Sequence, residues 1–299
     1  MKIYPLSDEG LTIFLFHGVL PSLKYAVRNY LRKHIEAEYF ERLCRAWRND
    51  GVQLSMEDAL RHSESGKPFP ARSFAITFDD GFLNNLTVAA PILESLSLPA
   101  TFYVTSKFID QNGMCWTDRM EWALERHATG RVRLPWRDAP VLFSSVAERK
   151  EILSEIRRVA KSDRSVGREA LATSINLDLN EKPVVASDDP LDKKMSWAEA
   201  AQLAKNPLFI IGGHSHTHPI LSFLNDLELE AEIYTSQALI AKHCGSKPHH
   251  YAYPEGLAHC FDARVIATLK RHGVKCCPTA INGVNTTDDP FHLFRVMVD

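Results

Sequence analysis

Three histidines, His214, His216 and His218, follow an apolar run and a Gly-Gly pair in the stretch LFIIGGHSHTHP. The branched residues at 208–211 are typical of a buried parallel strand, and the glycines allow the backbone to turn where the strand ends. Because α/β proteins hold their chemistry at the carboxyl ends of strands, these imidazoles stand where a site is expected. A polar loop that carries histidines by chance is the alternative interpretation.

Two adjacent carboxylates, Asp79 and Asp80, end a second apolar run at 73–78 and precede Gly81. Neighbouring carboxylates repel each other and lose hydration on burial unless a cation or hydrogen-bond donors offset the cost. On a straight strand they point to opposite sides, so both face one site only if the backbone turns, which Gly81 permits. Alternatively, Asp80 simply caps the helix that follows.

One carboxylate and two histidines four residues apart form a suitable ligand set for Zn²⁺ or a similar divalent ion such as Co²⁺, with a further position left for water. Metal-bound water ionises near neutral pH, and a carboxylate that does not bind the metal can take its proton. The aspartate pair supplies one ligand and one base, which predicts hydrolysis of an amide or ester. A second interpretation uses His214, His216 and His218 as three ligands on a continued strand, although Pro219 indicates that the strand has already ended.

The elements that must position these residues alternate along the chain, which predicts an α/β barrel or a related closed sheet. We predict one catalytic domain over residues 1–299 with a helical insertion at about 107–195. The predicted strands are 12–20, 73–81, 98–105, 208–213, 249–256, 274–281 and a final strand after the loop that begins at 283. The predicted helices outside the insertion are 36–49, 55–60, 86–96, 197–204, 226–243 and 261–272.

Composition excludes several classes of function. A net charge of −2 over 299 residues argues against nucleic acid or an anionic membrane as the main partner. No apolar run approaches the roughly 20 residues that span a bilayer, and the opening residues lack the pattern of a secretion signal. The six cysteines are scattered and include no CxxC pair, which is typical of free thiols. We therefore expect a cytoplasmic protein, although a chain that had lost a leader would look the same.

The motifs TFDDG, HSHTHP and YPEG, in this order, resemble those of the polysaccharide deacetylase family, which are metal-dependent carbohydrate esterases related to the nodulation-factor chitooligosaccharide deacetylase. FHGV in the first strand, WTD at the start of the insertion and DPFHLFR near the end extend the resemblance. The resemblance implies a distorted (β/α) barrel of about seven strands. It further implies that Asp80, His214 and His218 bind the metal and that Asp79 is the general base. The backbone N–H of Glu255 would stabilise the oxyanion, and Ser215 would support the histidine loop.

The sequence departs from the best-known members of that family in its last motifs. Ala252 stands where they have an arginine that orients the base, Glu255 stands where a tyrosine is common, and HLFRVMVD contains no clear match to their catalytic histidine. Two hypotheses address these gaps: Arg295 orients Asp79, and His17 protonates the leaving amine.

Three more residues are candidates for supporting roles. His216 falls at a position that the family leaves variable, so we expect it to line the site rather than bind the metal. Trp116 and Asp118, at the start of the insertion, are candidates to reach the site.

The predicted activity is removal of an N-acetyl group from an amino-sugar saccharide by a metal-bound water with Asp79 as base. A cytoplasmic location favours a small, nucleotide-linked or lipid-linked saccharide, as in glycan biosynthesis. The non-enzymatic alternative is a degenerate deacetylase fold that binds saccharide without turnover.

Overall fold

The structure is a computed structural model that describes residues 4–286 and 289–299. Residues 1–3, together with Thr287 and Asp288 of the predicted closing loop, lie outside the described residues.

A parallel sheet forms the centre of the fold. The strands in the described part of the chain are β1 Leu11–Phe16, β2 Gly18–Leu20, β3 His34–Glu36, β4 Val52–Gln53, β5 Ser73–Phe78, β6 Ala100–Val104, β7 Gly130–Val132, β8 Val141–Phe143, β9 Phe209–Gly213 and β10 Val296–Met297. The main sheet has the order β10-β1-β5-β6-β9, with β4 beside β5, and all its pairs are parallel. The α/β class is therefore confirmed. Every residue of β1 and β5 is buried, as expected of parallel strands covered on both faces.

The register of the sheet brings the strand ends into line. Phe16 pairs with Phe78 between β1 and β5, and the last residues of β6 and β9, Val104 and Gly213, pair with each other. The residues that come next along the chain therefore share one edge of the sheet. The predicted strand 12–20 is divided into β1 and β2, and β2 pairs with β3. His17 lies between β1 and β2, so it is one of the residues at this edge.

The hydrogen-bonded sheet is not closed into the predicted barrel among the described residues. In place of the predicted strands 249–256 and 274–281, pairing continues beyond β9 only as single bridges, from Gly213 to Tyr251 and from His250 to Cys276. Pro254 and Pro278 lack the backbone N–H that a longer ladder would need, so pairing stops after one bridge in each segment.

Helices cover the sheet and follow the predicted alternation. Their bounds are α1 Ala37–Asp50, α2 Met56–Ser65, α3 Ala90–Ser95, α4 Ser106–Gln111, α5 Trp116–Arg126, α6 Val146–Ser162, α7 Arg168–Asp178, α8 Trp197–Ala204, α9 Asp226–Cys244 and α10 Ala263–Arg271. Side-chain capping boxes begin α2, α6, α8 and α9, which explains their sharp starts. The predicted helix 86–96 begins as a π-helical turn, Asn85–Ala89, before α3. No helix in the described ranges is long and apolar enough to cross a membrane.

The insertion between β6 and β9 has a hydrophobic cluster of its own. Helices α5, α6 and α7 pack together around Leu124, Ile152, Ile156 and Ile175, which are all nearly inaccessible to solvent. Helices α4, α5, α6 and α7 lie in the region predicted as a helical insertion, and the sequence analysis missed the antiparallel pair β7–β8. These strands have only three residues each, too few for a period of two to be visible in the sequence.

Candidate active site

A cavity of about 150 Å³ lies at the carboxyl ends of β1, β5 and β9. The residues predicted from the sequence that line it are His17, Asp79, Asp80, Trp116, His214, His218 and Glu255. The structure thus brings together side chains that lie up to 238 positions apart, from residue 17 to residue 255.

Asp80, His214 and His218 present three ligand atoms to one point. Oδ1 of Asp80 lies 3.6 Å from Nε2 of His214 and 3.4 Å from Nε2 of His218. These separations are close to the ~3.3 Å expected between neighbouring ligands of a tetrahedral Zn²⁺ ion with bonds of about 2.0–2.1 Å. Oδ1 of Asp80 is buried and has no hydrogen-bond partner among the described residues, which is costly unless a cation binds there. The donor set therefore fits a divalent transition-metal ion.

The orientation of His214 follows from its second ring nitrogen. Nδ1 lies 2.9 Å from the backbone oxygen of Ala252, and because a carbonyl only accepts, Nδ1 carries the proton. The lone pair of Nε2 then faces Asp80, as in metal-binding histidines whose other nitrogen is hydrogen-bonded. Burial lowers the pKa of His218 to about 4, so this imidazole is also neutral, and free to act as a ligand, at pH 7.

A left-handed backbone and a lysine hold Asp80 in place. Asp80 itself has φ +74°, and Gly81 continues the turn with φ +79°, so the two aspartates can both face the cavity. Nζ of Lys33 lies 2.7 Å from Oδ2 of Asp80, which leaves Oδ1 for the imidazoles. Burial raises the pKa of Asp80, but Lys33 and the neighbouring histidines together outweigh that effect and hold the pKa well below its usual range. The carboxylate is therefore ionised at neutral pH.

Asp79 forms a two-point pair with Arg295. Two guanidinium nitrogens donate to the two carboxylate oxygens, each at 2.8 Å, and both side chains are buried. Burial raises the pKa of Asp79, but Arg295, together with His214 and His17, outweighs that effect and leaves the pKa below its ordinary value. The contact that the orientation hypothesis requires is present, and it comes from the residue just before β10 rather than from position 252.

His17 lies in the same cavity in an environment that keeps it neutral. Burial, assisted by the charge of Lys33, lowers its pKa to about 4. The imidazole therefore carries no extra proton at pH 7, and it would serve as an acid only after receiving a proton during the reaction.

The insertion reaches the cavity through α5 and α6. Lys161 of α6 forms an ion pair with Glu255, which has φ +61°, and this pair helps to lower the pKa of the partly buried Glu255 carboxyl to about 2 against the effect of burial. Trp116 lines the cavity, and Asp118 contacts Lys33 at 3.6 Å. Among the lining residues that sequence reasoning missed, four are charged: Lys33, Glu121, Arg157 and Lys161. They lie on a loop and on amphipathic helices, where isolated charges carry no recognisable pattern.

The histidine loop is held by local hydrogen bonds. The backbone N–H of His218 donates to the Ser215 hydroxyl at 2.9 Å. His216 instead lies 2.8 Å from the Ser106 hydroxyl and belongs to neither group of clustered ligand atoms found among the described residues. The structure therefore does not bring His214, His216 and His218 together as a three-histidine metal site.

Comparison with known proteins agrees with this geometry. A profile of the polysaccharide deacetylase family matches residues 66–277, most of the chain. The chain belongs to the polysaccharide deacetylase family, and it is thus an enzyme of the carbohydrate N-deacetylase class. A search of curated protein sequences finds no significant match.

Several solved structures share the fold at low sequence identity. The deacetylase PplD of Streptococcus pyogenes, solved with acetate, superposes with a TM-score of 0.60 at 13% identity, over 99% of this chain and 93% of that one. IcaB from Ammonifex degensii gives 0.61 at 17% identity, over 99% and 94%. The BpsB deacetylase domain from Bordetella bronchiseptica gives 0.56 at 16% identity, over 99% and 98%. Nearly the whole chain therefore takes part in the shared fold.

Proposed function

We propose that this protein is a metal-dependent hydrolase that removes the N-acetyl group from an amino-sugar unit of a saccharide. The observation that carries the proposal is the buried, unpartnered Oδ1 of Asp80, which faces the Nε2 atoms of His214 and His218. These three residues would hold Zn²⁺ or Co²⁺, since two imidazoles and a carboxylate suit such ions. When bound, the ion polarises the amide carbonyl and makes water acidic enough to attack near neutral pH.

Asp79 is the general base in this proposal. Its carboxylate stays ionised because Arg295 lowers its pKa, and it accepts a proton from the attacking water. The backbone N–H of Glu255, in the left-handed turn at the cavity wall, donates to the oxygen that becomes negative. We assign protonation of the leaving amine to His17. Because its resting form is neutral, His17 first receives the proton that Asp79 has taken from the water and then passes it to the amine.

The substrate proposed is a saccharide joined to a nucleotide or lipid carrier. The support is a surface groove that shares Trp116 and His218 with the cavity and carries cationic side chains. Those cations are Lys107, Arg119, Arg164 and Arg168. Arg168 is partly buried and has no carboxylate within 4 Å in the described part of the chain, so a phosphate group would complete its environment.

The same proposal includes the domain organisation and the compartment. We treat residues 1–299 as one catalytic domain built on a distorted barrel. The support is that the single bridges beyond β9, together with the bridge from Leu11 to Asn285, continue pairing from β9 toward β1. A cytoplasmic setting is supported by the six cysteines, which form no disulfide in the structure.

The test is acetate release from a panel of N-acetylated sugars: free monosaccharides, oligosaccharides, nucleotide sugars and lipid-linked sugars. The protein is stripped with chelator and reconstituted with Zn²⁺ or Co²⁺, and Asp79→Asn is assayed in parallel. We expect metal-dependent release that falls at least 1,000-fold in the variant, on the order of the loss seen when a general base is removed.

Release that favours phosphate-bearing sugars would support the carrier assignment, and equal rates on uncharged sugars would contradict it. Saccharide binding without acetate release from any member of the panel would favour the degenerate binding fold. Failure to bind metal would overturn the site itself.

A further inference from the structure

A second cluster of metal-ligating side chains lies outside the cavity. It consists of Glu57, in the first turn of α2, with His249 and His250, which precede the bridge to β9. The ligand atoms of the three residues lie within 4.8 Å of one another, and none of the three lines the cavity at the proposed active site. The pair of histidines in HHYAYPEG has no part in the proposed reaction.

The geometry of the cluster converges on one carboxylate oxygen. Oε2 of Glu57 lies 2.7 Å from Nε2 of His249 and 2.9 Å from Nε2 of His250. Burial lowers the pKa of His250 to about 4, so the imidazole is neutral at pH 7. Because a carboxylate only accepts, Nε2 carries the ring proton here, and this proton must move to Nδ1 before Nε2 can bind a metal. Burial raises the pKa of Glu57, but its hydrogen bonds to the two histidines bring it below the ordinary value, so the carboxylate is charged.

A purely structural role leaves His250 poorly satisfied. The residue is 1% exposed, and its Nδ1 atom has no hydrogen-bond partner among the described residues. The bond to Glu57 satisfies only one of its two ring nitrogens, and a buried polar atom without a partner costs about 1–3 kcal/mol. Nδ1 is thus open to receive the ring proton when Nε2 binds an ion in place of donating to Glu57.

The other two members of the cluster provide access from solvent. The side chains of His249 and Glu57 are 43% and 36% exposed, so an ion can enter and keep water on its remaining positions. Two imidazoles and one carboxylate are a ligand set used by zinc. The contacts of 2.7 and 2.9 Å must lengthen to about 3.3 Å around such an ion. The exposed side chains of Glu57 and His249 leave room for that movement.

We propose that Glu57, His249 and His250 form a second site for a divalent transition-metal ion, separate from the catalytic one. The ion joins the start of α2 to the segment that runs through Tyr251 and Ala252 into the turn at Glu255. It binds more weakly than the catalytic ion, because it must replace two existing hydrogen bonds.

The test is a titration of the full chain with Zn²⁺ alone, after chelator treatment, against a chromophoric competitor. We expect two equivalents in the wild-type protein. Glu57→Gln, which keeps the shape and an acceptor oxygen, should weaken the second equivalent at least tenfold and leave the first unchanged. Asp80→Asn should do the reverse. Glu64→Gln, an exposed carboxylate on the same helix, is the matched control and should change neither.

Circular dichroism establishes that each variant is folded, and His249→Gln replaces Glu57→Gln if the latter does not fold. Loss of the weaker equivalent only in Glu57→Gln and His249→Gln supports the site. One equivalent in the wild-type protein overturns it, and so does a second equivalent that survives these substitutions. Acetate release at a Zn²⁺ concentration that fills only the tighter site should be the same in Glu57→Gln and wild type.

Discussion

The cavity cluster and the Glu57 cluster each contain one carboxylate and two imidazoles, but only in the Glu57 cluster are these groups hydrogen-bonded to one another. In the cavity, Oδ1 of Asp80 is held 3.4–3.6 Å from its imidazoles and accepts no hydrogen bond in the described structure. On the surface, Oε2 of Glu57 lies 2.7–2.9 Å from its imidazoles and is hydrogen-bonded to both. The first cluster has the spacing of a metal site, and the second has collapsed into direct contacts.

The two clusters differ in the contacts made by those side-chain atoms of the ligand residues that point away from the metal position. Lys33 occupies the other oxygen of Asp80, the backbone oxygen of Ala252 holds Nδ1 of His214, and the left-handed backbone orients Asp80. His250 has no such partner on its Nδ1 among the described residues. Holding the ligands in this way lowers the stability of the metal-free protein, because an unpaired buried acceptor costs about 1–3 kcal/mol. A bound cation removes that cost.

The largest expected effect is that of Asp80→Asn, which removes the charged ligand while keeping its shape. We expect Zn²⁺ affinity to fall at least 100-fold and acetate release to become undetectable, because the site keeps two imidazoles but loses its charged ligand beside the positive charge of Lys33. Metal titration and acetate assays measure both effects. Glu57→Gln makes the same chemical change in the other cluster and should keep full activity. Equal losses in the two variants would contradict the assignment of separate roles.

A smaller effect is expected from Arg295→Gln, which leaves the metal ligands intact but removes the partner of Asp79. Wild-type Asp79 has a lowered pKa, so its basic form is lost only when the pH falls far below neutrality. Without Arg295, burial is no longer offset, the pKa rises, and the acid limb of kcat/KM moves to higher pH. We expect kcat at neutral pH to fall about 100-fold.

Profiles of kcat/KM against pH, with metal content checked at each point, measure the shift for Arg295→Gln. Arg295→Lys should restore part of the activity and of the profile, because it returns the charge without the two-point geometry. An acid limb that does not move in either folded variant would show that Arg295 does not act through Asp79.

The smallest effect concerns the insertion, through Lys161→Met. This change removes the ion-pair partner of Glu255, so the pKa of Glu255 rises from about 2 and the turn shifts. Because metal ligands are untouched, we expect kcat to fall about tenfold with Zn²⁺ affinity unchanged. Arg158→Met, an exposed cation on the same helix, is the control. If the two variants behave alike, the Lys161–Glu255 pair does not position the turn.

Secondary structure was predicted most accurately where a continuous run of buried apolar residues, or one apolar face of a helix, sets the sequence pattern. β5, β6 and β9 fall within predicted strands and β1 begins one residue before its predicted strand, because a strand buried on both faces needs an uninterrupted apolar run. The predictions were weakest at 249–256 and 274–281, where prolines limit pairing to single bridges that no local periodicity reveals. The short pair β7–β8 was missed for a similar reason.

The sequence by itself indicated the residues that the proposed reaction uses, because Asp79, Asp80, His214 and His218 stand in short motifs at strand ends whose position follows from parallel pairing. It also suggested Arg295 as the partner of Asp79. Only the tertiary structure decided the other ion pairs, in which Lys33 reaches Asp80 from a loop and Lys161 reaches Glu255 from an inserted helix. An ion pair across such distances depends on how the elements pack in space, and neither composition nor spacing along the chain encodes that packing.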